Sequence, residues 1–334
     1  MISIITPVFN SEKYITRYLK SIMAQTMTDL EIIIVDDHGA DNSIEKAREI
    51  VNKYKGPISF KFLKTACNSG PGVARNIGIE AAQGDYLAFV DSDDTIHREF
   101  CSLLLESAKL NKSDMSCCEM VFINPEGKES GYGRNPIIDE SEFTKEKKKK
   151  FLSNYVSYFT TFIYSRELIL KNGIRFSDEF SSEDSFFLAC ALLYCEKISQ
   201  VNRPLYFYHR HSLSLTMRYD EKRYLRKLTS FGKLISFSKT RGLYDIYKPE
   251  LDFIYIKKAF LISELDYITN ADKANRKIVK LMFNELQNTI PDYSDCEYLK
   301  KKPQLKLLTL LIGLSPRLAI FILPCLVKIF KIRF

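Results

Sequence analysis

The sequence predicts an α/β protein: a mostly parallel sheet flanked by helices, then a helical C-terminal region and an amphipathic tail. Three observations predict it. Short β-branched runs alternate with helix-period patterns over the first hundred residues. From Tyr219 to about Asn288 the apolar spacing is helical, and beyond Lys300 two apolar runs are mixed with basic residues and no acidic one.

The elements follow in order. Ile2 to Val8 is a β-branched run ending at a turn, and Glu12 to Ala24 carries Tyr14, Ile15, Tyr18, Leu19, Ile22 and Met23 at helical spacing. Glu31 to Val35 reads as a strand buried on both faces, followed by a helix from about Ser43 to Tyr54. Ile58 to Leu63, a helix over Gly72 to Ala82, and Tyr86 to Val90 complete a βαβαβαβ series, which implies a parallel sheet covered by helices on both faces. Asp114 to Ile123 reads as a further strand, Asn124 to Lys150 as a polar segment whose lysine run is a solvated face or a loop, Ser182 to Tyr194 as a helix and Gln200 to His209 as a strand. In such sheets ligands bind beyond the carboxyl ends of the strands, so chemistry belongs in the loops after Val8, Val35, Leu63 and Val90.

Composition narrows the classes of function. At 334 residues and 46% hydrophobic the chain is neither disordered nor fibrous, and its length accommodates about two domains of roughly 150 residues. Eight of its basic residues (Lys300, Lys301, Lys302, Lys306, Arg317, Lys328, Lys331, Arg333) fall in the tail, leaving 41 of each sign in residues 1–299. A neutral body is not the footprint of a nucleic-acid-binding protein. The eight cysteines form no C-x-x-C and sit mostly among apolar neighbours, so all are expected to be buried free thiols rather than a zinc site.

Acidic groups follow the strands. Asp36-Asp37 closes the second, and Asp91-Ser92-Asp93-Asp94 follows the fourth. In extended backbone Asp91 and Asp93 would face one point, where a hard divalent cation would relieve their repulsion; alternatively Asp93 or Asp94 caps a helix near Ile96. Asn68 to Asn76 is a glycine-bearing strand-to-helix loop in which Arg75 could donate to a phosphate or carboxylate, although it fits neither G-x-G-x-x-G nor a Walker A loop. Glu183-Asp184 stands at a helix start, as a cap or as a general base, and His209 and His211 alternate on a strand-like segment, as ligands or as structural residues.

Together these segments resemble the family 2 glycosyltransferases. The matching stretches are Ser3-Ile4-Ile5-Thr6-Pro7-Val8-Phe9-Asn10, Glu31-Ile32-Ile33-Ile34-Val35-Asp36-Asp37, Gly72-Val73-Ala74-Arg75-Asn76-Ile77-Gly78, Gly84 through Asp94, and Ser182-Glu183-Asp184, in the family's order over about residues 1–215. The resemblance implies a GT-A type, Rossmann-like catalytic domain over 1–215, followed by a helical region over 216–299 and a tail over 300–334. It implies that Pro7, Phe9, Asn10 and Glu12 line a nucleotide pocket and that Asp37 bonds the base. Arg75 and Asp91 would lie by the nucleotide-sugar, Asp93 would hold Mn²⁺ or Mg²⁺, and Asp184 would be the catalytic base. The implied activity is inverting transfer from a nucleotide-diphospho-sugar, UDP being the family's commonest choice, to a saccharide or lipid-linked saccharide in cell-surface polysaccharide or glycan synthesis. A sugar nucleotidyltransferase and a non-catalytic membrane-bound sugar-binding protein are the alternatives. The chain departs from the family in one loop, with His38-Gly39-Ala40 where Gly-Ser-Thr is usual.

The N-terminus carries no basic, apolar leader pattern, so the chain is expected to stay in the cytosol. Leu307 to Ser315 and Leu318 to Val327 are each shorter than the ~20 apolar residues a span needs, and joining them would bury Arg317. The expectation is peripheral association with the inner face of the cell membrane, with the basic residues on anionic headgroups. A helical hairpin packed on the protein, a dimer contact and a kinked span are the alternatives.

Overall fold

The computed structural model describes residues 1–136, 143–211, 221–270 and 274–329, with side chains to 326. The strands are β1 (Ile2–Val8), β2 (Leu30–Asp36), β3 (Ser59–Lys64), β4 (Tyr86–Phe89), β5 (Thr95–Ile96), β6 (Met115–Ile123), β7 (Glu129–Gly133), β8 (Phe162–Ser165) and β9 (Ile198–His209). The helices up to Tyr194 are α1 (Ile15–Met23), α2 (Ser43–Lys53), α3 (Pro71–Ala81), α4 (Phe100–Asn111), α5 (Lys145–Ser153), α6 (Arg166–Lys171) and α7 (Glu183–Tyr194). Beyond them lie α8 (Glu221–Thr240), α9 (Tyr244–Ile254), α10 (Ile262–Asn270), α11 (Arg276–Thr289), α12 (Glu297–Lys300), α13 (Pro303–Leu314) and α14 (Pro316–Ile329). A π-helical stretch, Tyr255–Leu261, joins α9 to α10.

The chain divides into two units. The first comprises residues 1–145, 156–178 and 191–217, and the second 146–155, 179–190 and 218–334. The first is built on one nine-stranded sheet in the order β3-β2-β1-β4-β8-β6-β9-β5, with β7 pairing β6. Strands β3, β2, β1 and β4 run parallel; β8 is antiparallel to both β4 and β6, and β6 and β9 are again parallel. Every residue of β1 is buried, as a strand covered on both faces requires. Helix α1 buries Ile15, Tyr18, Leu19 and Ile22, one stripe of its helical period. Helix α3 lies close on the sheet, since a Cβ at Gly78 would meet Ile5 Cγ2 at 2.3 Å.

Several expectations change here. Of the two readings of the lysine run the solvated face stands and the loop does not: it forms helix α5, which exposes Lys145 and Lys150 and turns Lys148, Phe151 and Leu152 inward. The helix after the aspartates begins at Phe100 with Glu99 as its N-cap, so neither Asp93 nor Asp94 caps it. Residues 91–94 form a turn, Asp94 N donating to Asp91 O at 3.1 Å, rather than extended backbone. All eight cysteines are free, but Cys67 and Cys325 are exposed.

The second unit is helical. Its core includes Leu228, Phe231, Leu234, Phe260, Leu261 and Leu265. The tail joins that core: α13 and α14 pack on each other and α14 on α10 and α11, burying Leu308, Ile312, Ala319 and Leu323. Leu307, Leu310, Leu314, Leu318 and Phe321 remain exposed. Among the described residues no helix is long and apolar enough to cross a membrane. The basic side chains of Lys328, Lys331 and Arg333 lie outside the described residues.

Candidate functional site

The ends of β1, β2 and β4, all parallel, bring their following loops to one edge of the first unit. The loop after β1 turns at Asn10, whose φ is +51°. Its Oδ1 accepts the Ala40 N–H at 2.7 Å, and a Cβ at Gly39 would meet Asn10 N at 2.7 Å, so glycine is needed for this approach. Glu12 is bound to the same loop: its N–H donates to Asp41 Oδ2 at 2.8 Å and its Oε2 accepts the Asn42 N–H at 3.2 Å. The departure at His38-Gly39-Ala40 therefore still forms a clasp between the first two strand ends, with His38 Nε2 bonded to the Thr65 carbonyl at 2.7 Å. Phe9 leaves its ring exposed beside it.

Asp37 is 2% exposed. Its Oδ1 accepts from Thr65 Oγ1 and Ser69 N, each at 2.9 Å, and its Oδ2 from Gly70 N at 2.8 Å. As placed, this carboxylate braces the loop that leads from β3 into α3. That loop delivers Arg75, which is 4% exposed and donates through its terminal nitrogen to Asp91 Oδ1 at 2.7 Å. Phe159 and Phe176 lie 4.7 and 5.2 Å from the guanidinium. Asn76 holds the Phe176 backbone reciprocally, Nδ2 to O at 2.9 Å and N to Oδ1 at 2.8 Å. The two rings come from far along the chain and carry no sequence signal of their own.

The turn after β4 divides its three carboxylates among different partners. Asp91 pairs with Arg75. Asp94, 1% exposed, accepts from Tyr206 Oη at 2.7 Å and the His209 N–H at 2.8 Å. Ser92 Oγ bonds Ser11 Oγ at 2.6 Å, tying the turn to the loop after β1. Asp93 Oδ2 lies 2.8 Å from His211 Nε2, and its carbonyl accepts from Arg17. Tyr14 stacks on His211 with ring centroids 4.3 Å apart. Burial holds both Asp91 and Asp94 above the usual carboxylate range, Asp94 well above it; Arg75 pulls Asp91 the other way and the charge of Asp93 pushes both up. His209, half-buried and near Arg17, is depressed to about 4.

Among the described residues no group of three or more His, Cys, Asp or Glu converges as a metal cage. The donor set still suits a cation that arrives with its substrate. Mg²⁺ and Mn²⁺ take one or two protein carboxylates and leave other positions to phosphates and water. Asp93 offers an oxygen and His211 a nitrogen 2.8 Å away, while Asp91 and Asp94 are engaged elsewhere. The sequence singled out His211 only as one of an alternating pair; the structure sets it against Asp93.

Asp184 belongs to the second unit, in the first turn of α7, and its Oδ1 accepts from Ser185 N at 2.6 Å. Ser182 just before the helix has φ +60°, a left-handed entry that an L-residue seldom adopts.

The sequence model described as Glycosyl transferase family 2 matches residues 3–173. The chain belongs to this family. EpsH of Bacillus subtilis strain 168, named as a glycosyltransferase, is 31% identical over 258 residues, which is 75% of this chain and 73% of EpsH. The poly(ribitol-phosphate) beta-N-acetylglucosaminyltransferase TarS of Staphylococcus aureus strain Mu50 is 32% identical over 213 residues, covering 62% of this chain but 35% of that longer protein. The crystal structure of S. aureus TarS 1–349 in complex with UDP-GlcNAc superposes with a TM-score of 0.74 at 22% identity, over 99% of this chain and 91% of that one. A mannosyltransferase from Pyrobaculum calidifontis, in complex with GDP-Man and Mn²⁺, gives a TM-score of 0.53 at 12% identity. The fold of this family 2 protein is the GT-A fold, and its activity is that of a glycosyltransferase. The nucleotidyltransferase and non-catalytic alternatives fall away.

Proposed function

We propose that this glycosyltransferase is an inverting enzyme that moves a sugar from a UDP-sugar, UDP-N-acetylglucosamine foremost, to a hydroxyl of a saccharide, lipid-linked saccharide or polyol-phosphate acceptor during cell-surface polysaccharide synthesis. The observation that carries it is the division of labour in the turn after β4, with Arg75 on Asp91 and His211 on Asp93 at the strand ends where a GT-A fold receives its donor. The TarS relative and its UDP-GlcNAc complex support the choice of donor.

In this reading Pro7, Phe9, Asn10 and Glu12 line the nucleotide end, with the exposed Phe9 ring available to the base. Asp37 fixes the base-side loop through its three donors. Arg75 and Asp91 face the ribose and sugar. Asp93 with His211 would hold Mn²⁺ or Mg²⁺, which would supply positive charge to offset that of the leaving diphosphate. Asp184 takes the proton of the acceptor hydroxyl, that oxygen bonds to the anomeric carbon, and the bond to the nucleoside diphosphate breaks on the opposite face, which inverts the centre. The exposed apolar side chains of α13 and α14, with Lys300 to Lys306 beside them, dock the protein peripherally on the inner membrane face.

The test is an acceptor panel with UDP-N-acetylglucosamine and Mn²⁺, read by UDP release and by the anomeric configuration of the product. Acceptor-dependent release with inversion is expected. A retained configuration, or no release with any UDP-sugar from folded protein, overturns the reading.

A further inference from the structure

A cleft of about 320 Å³ opens in the first unit between α1, the turn joining β6 to β7, and the residues that end β9. Among the described residues no carboxylate lines it, and those that do include Arg17, Arg210, His209 and His211. Both guanidinium groups are held by aromatic rings: Arg17 lies 4.9 Å from the Tyr14 centroid and Arg210 4.7 Å from that of Phe122. The Arg210 backbone N–H donates to the Ile123 carbonyl at 2.8 Å, which fixes where its side chain departs. Arg210 has no acidic partner among the described residues, and Arg17 Nε and His211 Nδ1 are buried without a hydrogen-bond partner.

Two guanidinium groups stacked in place, with no acid among the described lining residues and with buried unsatisfied nitrogens beside them, form a site that calls for an anion. The residues assigned to the nucleotide (Pro7, Phe9, Asn10, Arg75, Asp91) do not line this cleft. It adjoins the turn after β4 through His211 and Arg17, the two partners of Asp93, and through His209, whose N–H donates to Asp94. We propose that the cleft holds a phosphate group of the acceptor, so that the acceptor is a phosphate-bearing polyol or glycan chain. This rests on the glycosyltransferase reading given above. A phosphate there has two sources, the acceptor and the donor's own diphosphate, and the experiment separates them.

Calorimetric titrations of the intact protein and of Arg210→Gln and Arg210→Lys would use two probes, each alone: a short ribitol-phosphate oligomer, with free ribitol as its neutral control, and UDP with Mn²⁺. Arg210 is exposed, and thermal midpoints check that the variants remain folded. The expected result is oligomer binding by the intact protein and none of ribitol, a tenfold or greater loss in Arg210→Gln, a smaller loss in Arg210→Lys, and UDP affinity unchanged within twofold throughout. Oligomer binding that is absent from the intact protein, or equal in Arg210→Gln, overturns the proposal. A parallel loss of UDP affinity in Arg210→Gln assigns the cleft to the donor diphosphate and overturns it too. Failure of the intact protein to bind UDP sinks the UDP-sugar donor reading instead, and the oligomer titration still decides the proposal.

Discussion

His211 Nε2 lies 2.8 Å from Asp93 Oδ2 across 118 residues of sequence, and this pair, rather than two aspartates two residues apart, is the polar centre of the turn after β4. The reason is local. The Asp94 N–H bonds the Asp91 carbonyl, the backbone turns, and Asp91 and Asp93 take different partners.

That pair predicts how the cation is held. In the intact protein, UDP with Mn²⁺ should raise the thermal midpoint more than UDP alone, with about 2.7 kcal/mol of stabilisation at a hundredfold excess over Kd. Asp93→Ala should abolish the manganese-dependent part, and His211→Gln should reduce it while leaving the midpoint without ligand nearly unchanged. Equal manganese dependence in all three proteins would remove Asp93 and His211 from the metal site.

How much of this was legible beforehand depends on distance along the chain. Strands β1 to β4 and the helices between them could be read because each carries its own period, and the turn residues after them stand in sequence beside the strands they follow. Strand β8 could not be read: Phe162–Ser165 is four residues long, and its place beside β4 and β6 is set by long-range pairing. The rings around Arg75 and the histidine on Asp93 were illegible for the same reason, since nothing near Phe159, Phe176 or His211 names its partner. The expectation of extended backbone from Asp91 to Asp93 gave way to a turn hydrogen bond, so the two carboxylates take different partners although the charge of Asp93 still acts on Asp91.

Asp184 separates binding from chemistry. Asp184→Asn removes the proton acceptor while its amide oxygen can still receive the Ser185 N–H. Transfer should fall by about 10²- to 10⁴-fold, the range of general-base catalysis, with UDP affinity retained. Turnover close to that of the unaltered protein would dismiss Asp184 as the base.

Arg75 and Asp91 should be energetically coupled. Removing Arg75 leaves Asp91 partly buried with no cation beside it, a kind of change that costs about 3 kcal/mol. Arg75→Met should destabilise by that order in urea unfolding, and adding Asp91→Asn should recover a good part of the loss. A double variant no more stable than Arg75→Met would mean that the arginine acts through its packing on Phe159 and Phe176 instead.

The tail makes a separable prediction. Leu314 and Phe321 are 80% and 85% exposed, and each would contribute about 2 kcal/mol on entering an apolar phase. The intact chain should sediment with vesicles rich in phosphatidylglycerol at low salt. Leu314→Ser with Phe321→Ser should release it, and high salt should weaken it through Lys300, Lys301 and Lys302. No sedimentation at low salt would leave the hairpin as a packing element of the helical unit alone.

The helical unit also contains a carboxyl that should make its stability depend on pH. Glu264 in α10 is fully buried, and neither of its oxygens has a hydrogen-bond partner among the described residues. Burial therefore raises its pKa well above the ordinary value. Because the folded state then binds a proton that the unfolded chain releases, the contribution is fully present below the unfolded pKa of about 4.3 and is lost as pH rises toward the folded value. The slope over that window is about 1.4 kcal/mol per pH unit. Glu264→Gln carries no proton to lose. It should match the unaltered protein near pH 4 and exceed it by a margin that grows with pH, as measured by urea unfolding in matched buffers. A pH-independent difference between the two would mean that Glu264 finds compensation for its charge in the folded state.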